Sequence, residues 1–391
     1  MAGYSLAAAD VNAGTAVLKI FLLLLGFVLL VKGADFFVDG ASGIAKKLKI
    51  STFIIGVTVV ALGTSAPELS VTIVDAINPE GGDLIMGNIL GSNVINILLI
   101  LGVSALICKL PTEKTTRIID MPFLIFTSVL FLVFGVVGYT FGSTPDGETY
   151  LSGVITWWNG LILVLLYIAF MAYNIVLAKR QSKAVLEQAT AVAMTADDGQ
   201  SGEAPSTFIA KIKYYYENLK AKTWFLILIA VGGLGMVVGG ATLVVNSSTY
   251  IAQDLIGIPS EIVALTVVAF GTSLPELITS VSAAKKGDVG IATGNIIGSN
   301  IANILLIGGV GALCSGSRGI PFTMEGLVGG VVSLVASVML FGFSLGKTKS
   351  LGKIAGTAML VGMICYYVII FLNLYVFKWY YPGVYVSAAI F

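Results

Sequence analysis

Two short strings carry the residues of this chain that could bind a charged ligand, and both lie inside apolar runs. GTSAPEL at 63–69 recurs as GTSLPEL at 271–277. In the first copy Pro67 has no N–H to give to the carbonyl four residues back, and its ring clashes with that carbonyl. Gly63 loosens the backbone further. The helix is therefore expected to kink, leaving carbonyls around Ala61 to Thr64 without helical partners. In hydrocarbon such groups are tolerated only where they line a cavity or hold something. Thr64 and Ser65 add hydroxyl oxygens and Glu68 a carboxylate; the second copy offers Ala269, Thr272, Ser273 and Glu276. A packing kink would account for the prolines. It does not account for the glutamates, because an acidic side chain at mid-membrane costs roughly 3 kcal/mol or more. No Lys or Arg stands near either in sequence.

A second pair of strings supplies neutral oxygens. GNILGSNVINILLILGVSAL (87–106) recurs as GNIIGSNIANILLIGGVGAL (294–313), identical at 15 of 20 positions. Ser92 and Asn96 are four apart and so share a helix face, as do Ser299 and Asn303. The plainer reading makes these side chains interhelical glue. Asn88, Asn93, Asn295 and Asn300 are expected to be mixed, partly structural caps or cross-links. Gly87, Gly91, Gly294 and Gly298 form small-residue ridges that let helices approach. Asp75, seven residues beyond Glu68, is either a vestibule group or, as the better reading, a solvated acid at the membrane surface.

Together the strings describe an all-oxygen cage with two negative charges. That matches one Ca²⁺, which takes about six to eight oxygens, or two Na⁺ in overlapping positions. The chain has no histidine, and its three cysteines (Cys108, Cys314, Cys365) fit no zinc or disulfide spacing, which argues against a transition metal. No cofactor is expected; the ions would be cargo. No nucleophile–base pair, phosphate loop or redox motif points to an enzyme.

The elements that must position these groups are membrane helices. The chain is 57% hydrophobic and 11% charged, against roughly a quarter charged in soluble domains, and it offers no basic surface for nucleic acid. Ten candidate spans fall near 16–43, 50–77, 83–107, 119–141, 150–178, 223–249, 260–284, 288–313, 322–346 and 352–380. The first carries Lys32, Asp35 and Asp39, so its second half is expected to tilt or kink. Residues 1–18 hold no Lys or Arg, which favours a mature span over a signal peptide. Hydrophobicity collapses over 179–222, and TADDGQSGEAPS (195–206) reads as a flexible linker. The expected division is a five-helix repeat over 1–178, a linker over 179–222 and a second repeat over 223–391.

Most of the 22 basic residues fall in the linker and in the loops after odd-numbered spans, such as Lys46, Lys47, Lys49, Lys285 and Lys286. Arg318 and Lys378 are the clear exceptions. The bias places both termini outside and the linker in the cytoplasm. Five spans per unit make the second copy enter upside down. The expected fold is an all-α integral membrane protein of ten helices in two inverted repeats, with helices 2 and 7 broken at the midplane, the usual frame for alternating access.

The paired GTSxPE and GNxxGSNxxN strings resemble the α-repeats of the cation/Ca²⁺ antiporter superfamily, in particular its prokaryotic Na⁺/Ca²⁺ exchanger branch, over nearly the whole chain. The resemblance implies Na⁺-driven Ca²⁺ transport in a prokaryotic cell membrane. It makes Glu68 and Glu276 the central Ca²⁺ ligands, and it assigns Thr64, Ser65, Ser92, Asn96, Thr272, Ser273 and Ser299, with the carbonyls of Ala61 and Ala269, to flanking ion positions. One position departs: many such exchangers carry Asp where this chain has Asn303, which removes a titratable group. H⁺/Ca²⁺ exchangers tend to carry an acid where this chain has Gly91 and Gly298. An exchanger driven by H⁺ or moving another divalent cation stays open as an alternative, K⁺ co-transport is not excluded, and a passive cation channel is the reading from a different class.

Overall fold

The computed structural model describes residues 13–79, 82–137, 140–143, 149–193, 222–256, 269–322, 324–346 and 348–372. Among the described residues ten helical segments follow one another. They are α1 (Ala13–Leu48), α2 in two halves (Thr52–Thr64 and Ala66–Ile77), α3 (83–107), α4 (Thr116–Val137) and α5 (Trp157–Ala193). Then come α6 (Thr223–Tyr250), α7 in two halves (Ala269–Thr272 and Leu274–Lys285), α8 (Val289–Cys314), α9 (Met324–Ser344) and α10 (Lys353–Leu372). Among the described residues seven of these helices are long and apolar enough to cross a membrane, or eight with the bent α2 taken as one span. The start of the seventh expected span, the end of the tenth and the 195–206 segment lie outside the described residues.

Two sequence expectations shift. The fifth span was expected over 150–178, but Thr149–Ile155 is a strand. It pairs with Thr140–Ser143 on one side and Ile320–Phe322 on the other. The helix starts only at Trp157, where the Thr156 hydroxyl meets the Asn159 side chain at 2.7 Å and accepts from the Asn159 N–H. That cap, rather than the apolar run, sets the helix start. At the other end α5 continues to Ala193, into the segment read as linker. The first span is also one continuous helix over Ala13–Leu48, because its acids find lateral partners instead of breaking it.

The inversion is visible in the helix contacts. α1 and α6, equivalent helices of the two repeats, lie antiparallel: Gly26 faces Gly240, Gly33 faces Gly233, and Gly40 faces Ala230. A Cβ on Gly33 would stand 2.8 Å from the Gly233 carbonyl oxygen. Without a hydrophobic drive between helices in lipid, such close backbone packing is what holds them together. Gly294 and Gly298 of α8 likewise press on the backbone of α2 at Phe53 and Val57. α3 and α8 form the centre, where Ile89, Ile97, Ile100, Ile296, Ile301 and Ile304 are buried. α1, α5 and α6 turn Val17, Leu24, Val28, Leu165, Ile168 and Val231 outward, the surface a bilayer would cover.

Candidate functional site

The break in α2 falls where the proline chemistry puts it. Ser65 leaves helical geometry at φ −84° and ψ 9°, and the two halves meet at 45°. Pro67 then sits in the first turn of the second half, where its missing N–H costs nothing. α7 repeats the device, with Ser273 at φ −87° and ψ 2° followed by Pro275. Each break places a glutamate, Glu68 or Glu276, in the first turn of a new half-helix. The helix dipole there favours a negative charge.

One expectation needs correction. The Ala61 carbonyl is not left without a helical partner: it accepts the Ser65 N–H at 3.0 Å. The last bond before the break is thus kept, and a cation at Ala61 would share its carbonyl with the Ser65 N–H. Ala269 stands at the start of the described part of α7.

Around the two breaks the structure gathers the expected side chains. Glu68, Glu276, Thr64, Ser65, Ser92, Asn96, Ser273, Ser299 and Asn303 are all buried, and Thr272 is half-buried. The two carboxylates lie within electrostatic reach of each other. The Ser65 hydroxyl donates to Glu276 Oε1 at 2.9 Å, and Ser299 reaches the same oxygen at 3.5 Å. The Thr64 hydroxyl, with a single proton to give, stands within reach of the Val60 carbonyl at 3.1 Å, of Asn295 Oδ1 at 3.0 Å and of the Glu276 side chain.

What remains is a set of buried polar atoms without a hydrogen-bond partner: Glu68 Oε2, Glu276 Oε2, Asn96 Oδ1, Asn303 Oδ1 and Ser273 Oγ. Among the described residues no basic side chain pairs with either glutamate. Each unmet oxygen carries a desolvation penalty of about 1–3 kcal/mol, more for a charged one. Unmet acceptors contributed by both repeats are the chemistry of a cation site.

The remaining asparagines are braces. Asn88 donates to the Glu68 carbonyl and to Thr72, each at 3.0 Å; Asn295 does the same for Ser280 at 2.9 Å and the Glu276 carbonyl at 3.5 Å. Thus α3 holds the second half of α2, and α8 holds the second half of α7. Asn93 and Asn300 link α3 to α8. Asp75 accepts the Gly82 N–H at 2.9 Å and braces the turn after α2.

Two features escaped sequence reasoning. On the lysine-rich face α1 is tied to the end of α7. Ser282 donates to Asp35 at 2.7 Å, Lys286 pairs with Asp39 at 2.8 Å, and Ser42 donates to Asp288 at 2.9 Å. Among the described residues no such bond joins α6 to the second half of α2, the equivalent contact of the other face. Asp35 and Asp39 stand on one helix face, the signal that a lateral cation was to be expected. The second feature is Arg318, an exception to the charge bias. Its guanidinium donates to the carbonyls of Ala76, Asn78 and Pro79 and so caps the end of α2.

A profile of the sodium/calcium exchanger protein family matches residues 18–176 and 225–372, most of both repeats. The chain belongs to the sodium/calcium exchanger family. Members are transporters rather than enzymes, and the chain is a multi-pass membrane protein of cation/Ca²⁺ exchange. It is similar to a sodium/calcium exchanger of Methanosarcina acetivorans, 35% identical over 75% of this chain and 82% of that one. A putative antiporter of Alkalimonas amylolytica is 31% identical over 89% of this chain and 97% of that one. Among solved structures, the sodium-calcium exchanger NCX_Mj soaked with 10 mM Na⁺ and zero Ca²⁺ superposes with a TM-score of 0.69, at 28% identity over 90% of this chain and 99% of that chain.

Proposed function

We propose that this exchanger is a secondary active antiporter moving Na⁺ against Ca²⁺ by alternating access. The observation that carries the reading is the cluster of unmet buried oxygens on Glu68, Glu276, Asn96, Asn303 and Ser273. Two carboxylates neutralise one Ca²⁺ or two Na⁺. Because both cargoes need the same charges, occupancy by one excludes the other, and that competition couples the two flows. Ser92, Ser299, Thr272, Thr64 and the carbonyls of Ala61 and Ala269 supply neutral oxygens at the flanks. The names of the relatives support the same two ions.

The lysine-rich face is the cytoplasmic one by the positive-inside rule, which puts both termini outside and the linker inside a prokaryotic cell membrane. The α1–α7 ties then close the site toward the cytoplasm, while the second half of α2, with Ala66 and Ser70 exposed, is uncovered on the outer side. In the alternate state α6, the symmetric partner of α1, would cover α2 while α1 releases α7.

The experiment is Ca²⁺ uptake into proteoliposomes with Na⁺, K⁺ and H⁺ gradients imposed one at a time. An outward Na⁺ gradient alone should drive uptake, and Glu68→Gln or Glu276→Gln should each abolish it in folded protein. Uncompensated divalent charge in a low-dielectric site is too costly to bind. Uptake driven by protons alone, or near-normal exchange by either variant, would defeat the reading.

A further inference from the structure

We propose that Asn93 and Asn300 are positioning residues that decide which end of the Asn303 and Asn96 amides faces the ions; this rests on the exchanger reading of the site. All four side chains are buried in the contact between α3 and α8. A carboxamide has a donor end and an acceptor end of nearly the same shape. Only the acceptor end can coordinate a cation, so something must fix the choice.

The choice is fixed by two backbone carbonyls. Asn93 Nδ2 donates to the Asn300 carbonyl at 3.3 Å, and Asn300 Nδ2 donates to the Asn93 carbonyl at 3.2 Å. A carbonyl oxygen can only accept, so each of these amides must turn its NH₂ toward the opposite backbone. Its Oδ1 then points the other way. Asn303 Nδ2 meets Asn93 Oδ1 at 3.0 Å, and Asn96 Nδ2 meets Asn300 Oδ1 at 2.9 Å. With their donor ends committed, Asn303 and Asn96 are left with Oδ1 atoms that have no donor. Polarity set at the backbone of one repeat passes through an asparagine of the other to the site. If Asn303 were flipped, its oxygen would oppose Asn93 Oδ1 and its NH₂ would face the cation, both unfavourable.

Removing the relay should leave the amide free to present either end. The test measures ⁴⁵Ca²⁺ binding by equilibrium dialysis in detergent for the wild type, Asn93→Ala, Asn303→Ala and the double variant. Binding needs no gradient, so a failure of Na⁺-driven transport in vesicles would count against the proposed function and leave this measurement standing. Asn93→Ala should weaken Ca²⁺ binding roughly five- to tenfold, the value of one neutral hydrogen-bonding group or somewhat more. On the Asn303→Ala background the same change should have almost no effect, because no amide is left to orient. An equal loss on both backgrounds would make Asn93 a mere helix cross-link and overturn the proposal, as would no loss at all. Should Asn93→Ala fail to fold, the mirror cycle of Asn300→Ala with Asn96→Ala asks the same question with the same two outcomes.

Discussion

The hydroxyl of Ser65, in the first repeat, donates to the carboxylate of Glu276, in the second, at 2.9 Å. The symmetry-related hydroxyl of Ser273 has no partner. One bond of the pair is thus made and the other is not, although the two strings are nearly identical. The inverted repeat sets which atoms are available, and the conformation sets which of them are used.

That asymmetry makes a prediction about two equivalent serines. Without cations, Ser65→Ala removes a made bond and should lower thermal stability by about 0.6–1.7 kcal/mol, the range for hydrogen bonds between membrane helices. Ser273→Ala removes an unmet group and should leave it unchanged or slightly raised. Both should weaken Ca²⁺ binding, since each loses a buried oxygen at one of the two breaks. Thermal unfolding in detergent with chelator, then with Ca²⁺, separates the two effects. Equal destabilisation of both variants in chelator would contradict the asymmetry.

The ties between α1 and α7 predict a shift in access. Lys286 pairs with Asp39 and contacts the Asp35 carbonyl, with its side chain partly exposed. Such a pair contributes about 0.2–1 kcal/mol, so Lys286→Ala should raise the fraction of molecules open to the lysine-rich face by up to about fivefold. Thr279, buried between these ties and Glu276 on the same half-helix, is the reporter position. With Cys108, Cys314 and Cys365 replaced, a Thr279→Cys protein should react faster with an impermeant maleimide from that face once Lys286 is removed. An unchanged labelling rate would show that the ties do not gate.

How much of this was legible follows from where the information lies. The two glutamates and the repeat were readable because they reside in residue type and spacing: a carboxylate beside a proline in an apolar run is chemically conspicuous wherever it occurs. The partners Asp39 and Lys286 were not, because they lie 247 residues apart and meet only when the repeats fold together. The start of α5 was missed because Thr149–Ile155 is as apolar as a span, and only pairing with Ile320–Phe322 makes it a strand. For Asn93 and Asn300 the sequence offers only a mixed role. Their role depends on which backbone carbonyl each amide meets, and no spacing encodes that.

Arg318 predicts a cost confined to the C-terminal end of α2. Its guanidinium serves three carbonyls at once, which a lysine cannot copy with one ammonium. Arg318→Gln and Arg318→Lys should both speed amide hydrogen exchange over residues 70–77 while leaving α7 unaffected. Full protection in Arg318→Lys would mean that charge at the helix end, not the fork of donors, is what matters.

The last prediction concerns Asn303, an amide at a position where the resemblance leads one to expect an acid. In the wild type its NH₂ donates to Asn93 Oδ1 while its own Oδ1 stays unmet. Asn303→Asp replaces that donor with an oxygen, and an ionised carboxylate would set oxygen against oxygen at Asn93. A proton on the introduced carboxyl restores the donor, so the surrounding network itself selects the protonated form. In that form the site has the same charge as the wild type. At higher pH the proton leaves, and a third carboxylate joins Glu68 and Glu276, where it strengthens the hold on a divalent cation. The sign follows: as pH falls, the variant gains a proton at this position and loses Ca²⁺ affinity that the wild type never had from it. Apparent Ca²⁺ affinity would be measured for both proteins from about pH 6 to 9 at fixed Na⁺. The variant should bind Ca²⁺ more tightly at the alkaline end and converge on the wild type at the acid end. Superimposable profiles would mean that position 303 does not face the ions, and the cage would then lose one of its two amide oxygens.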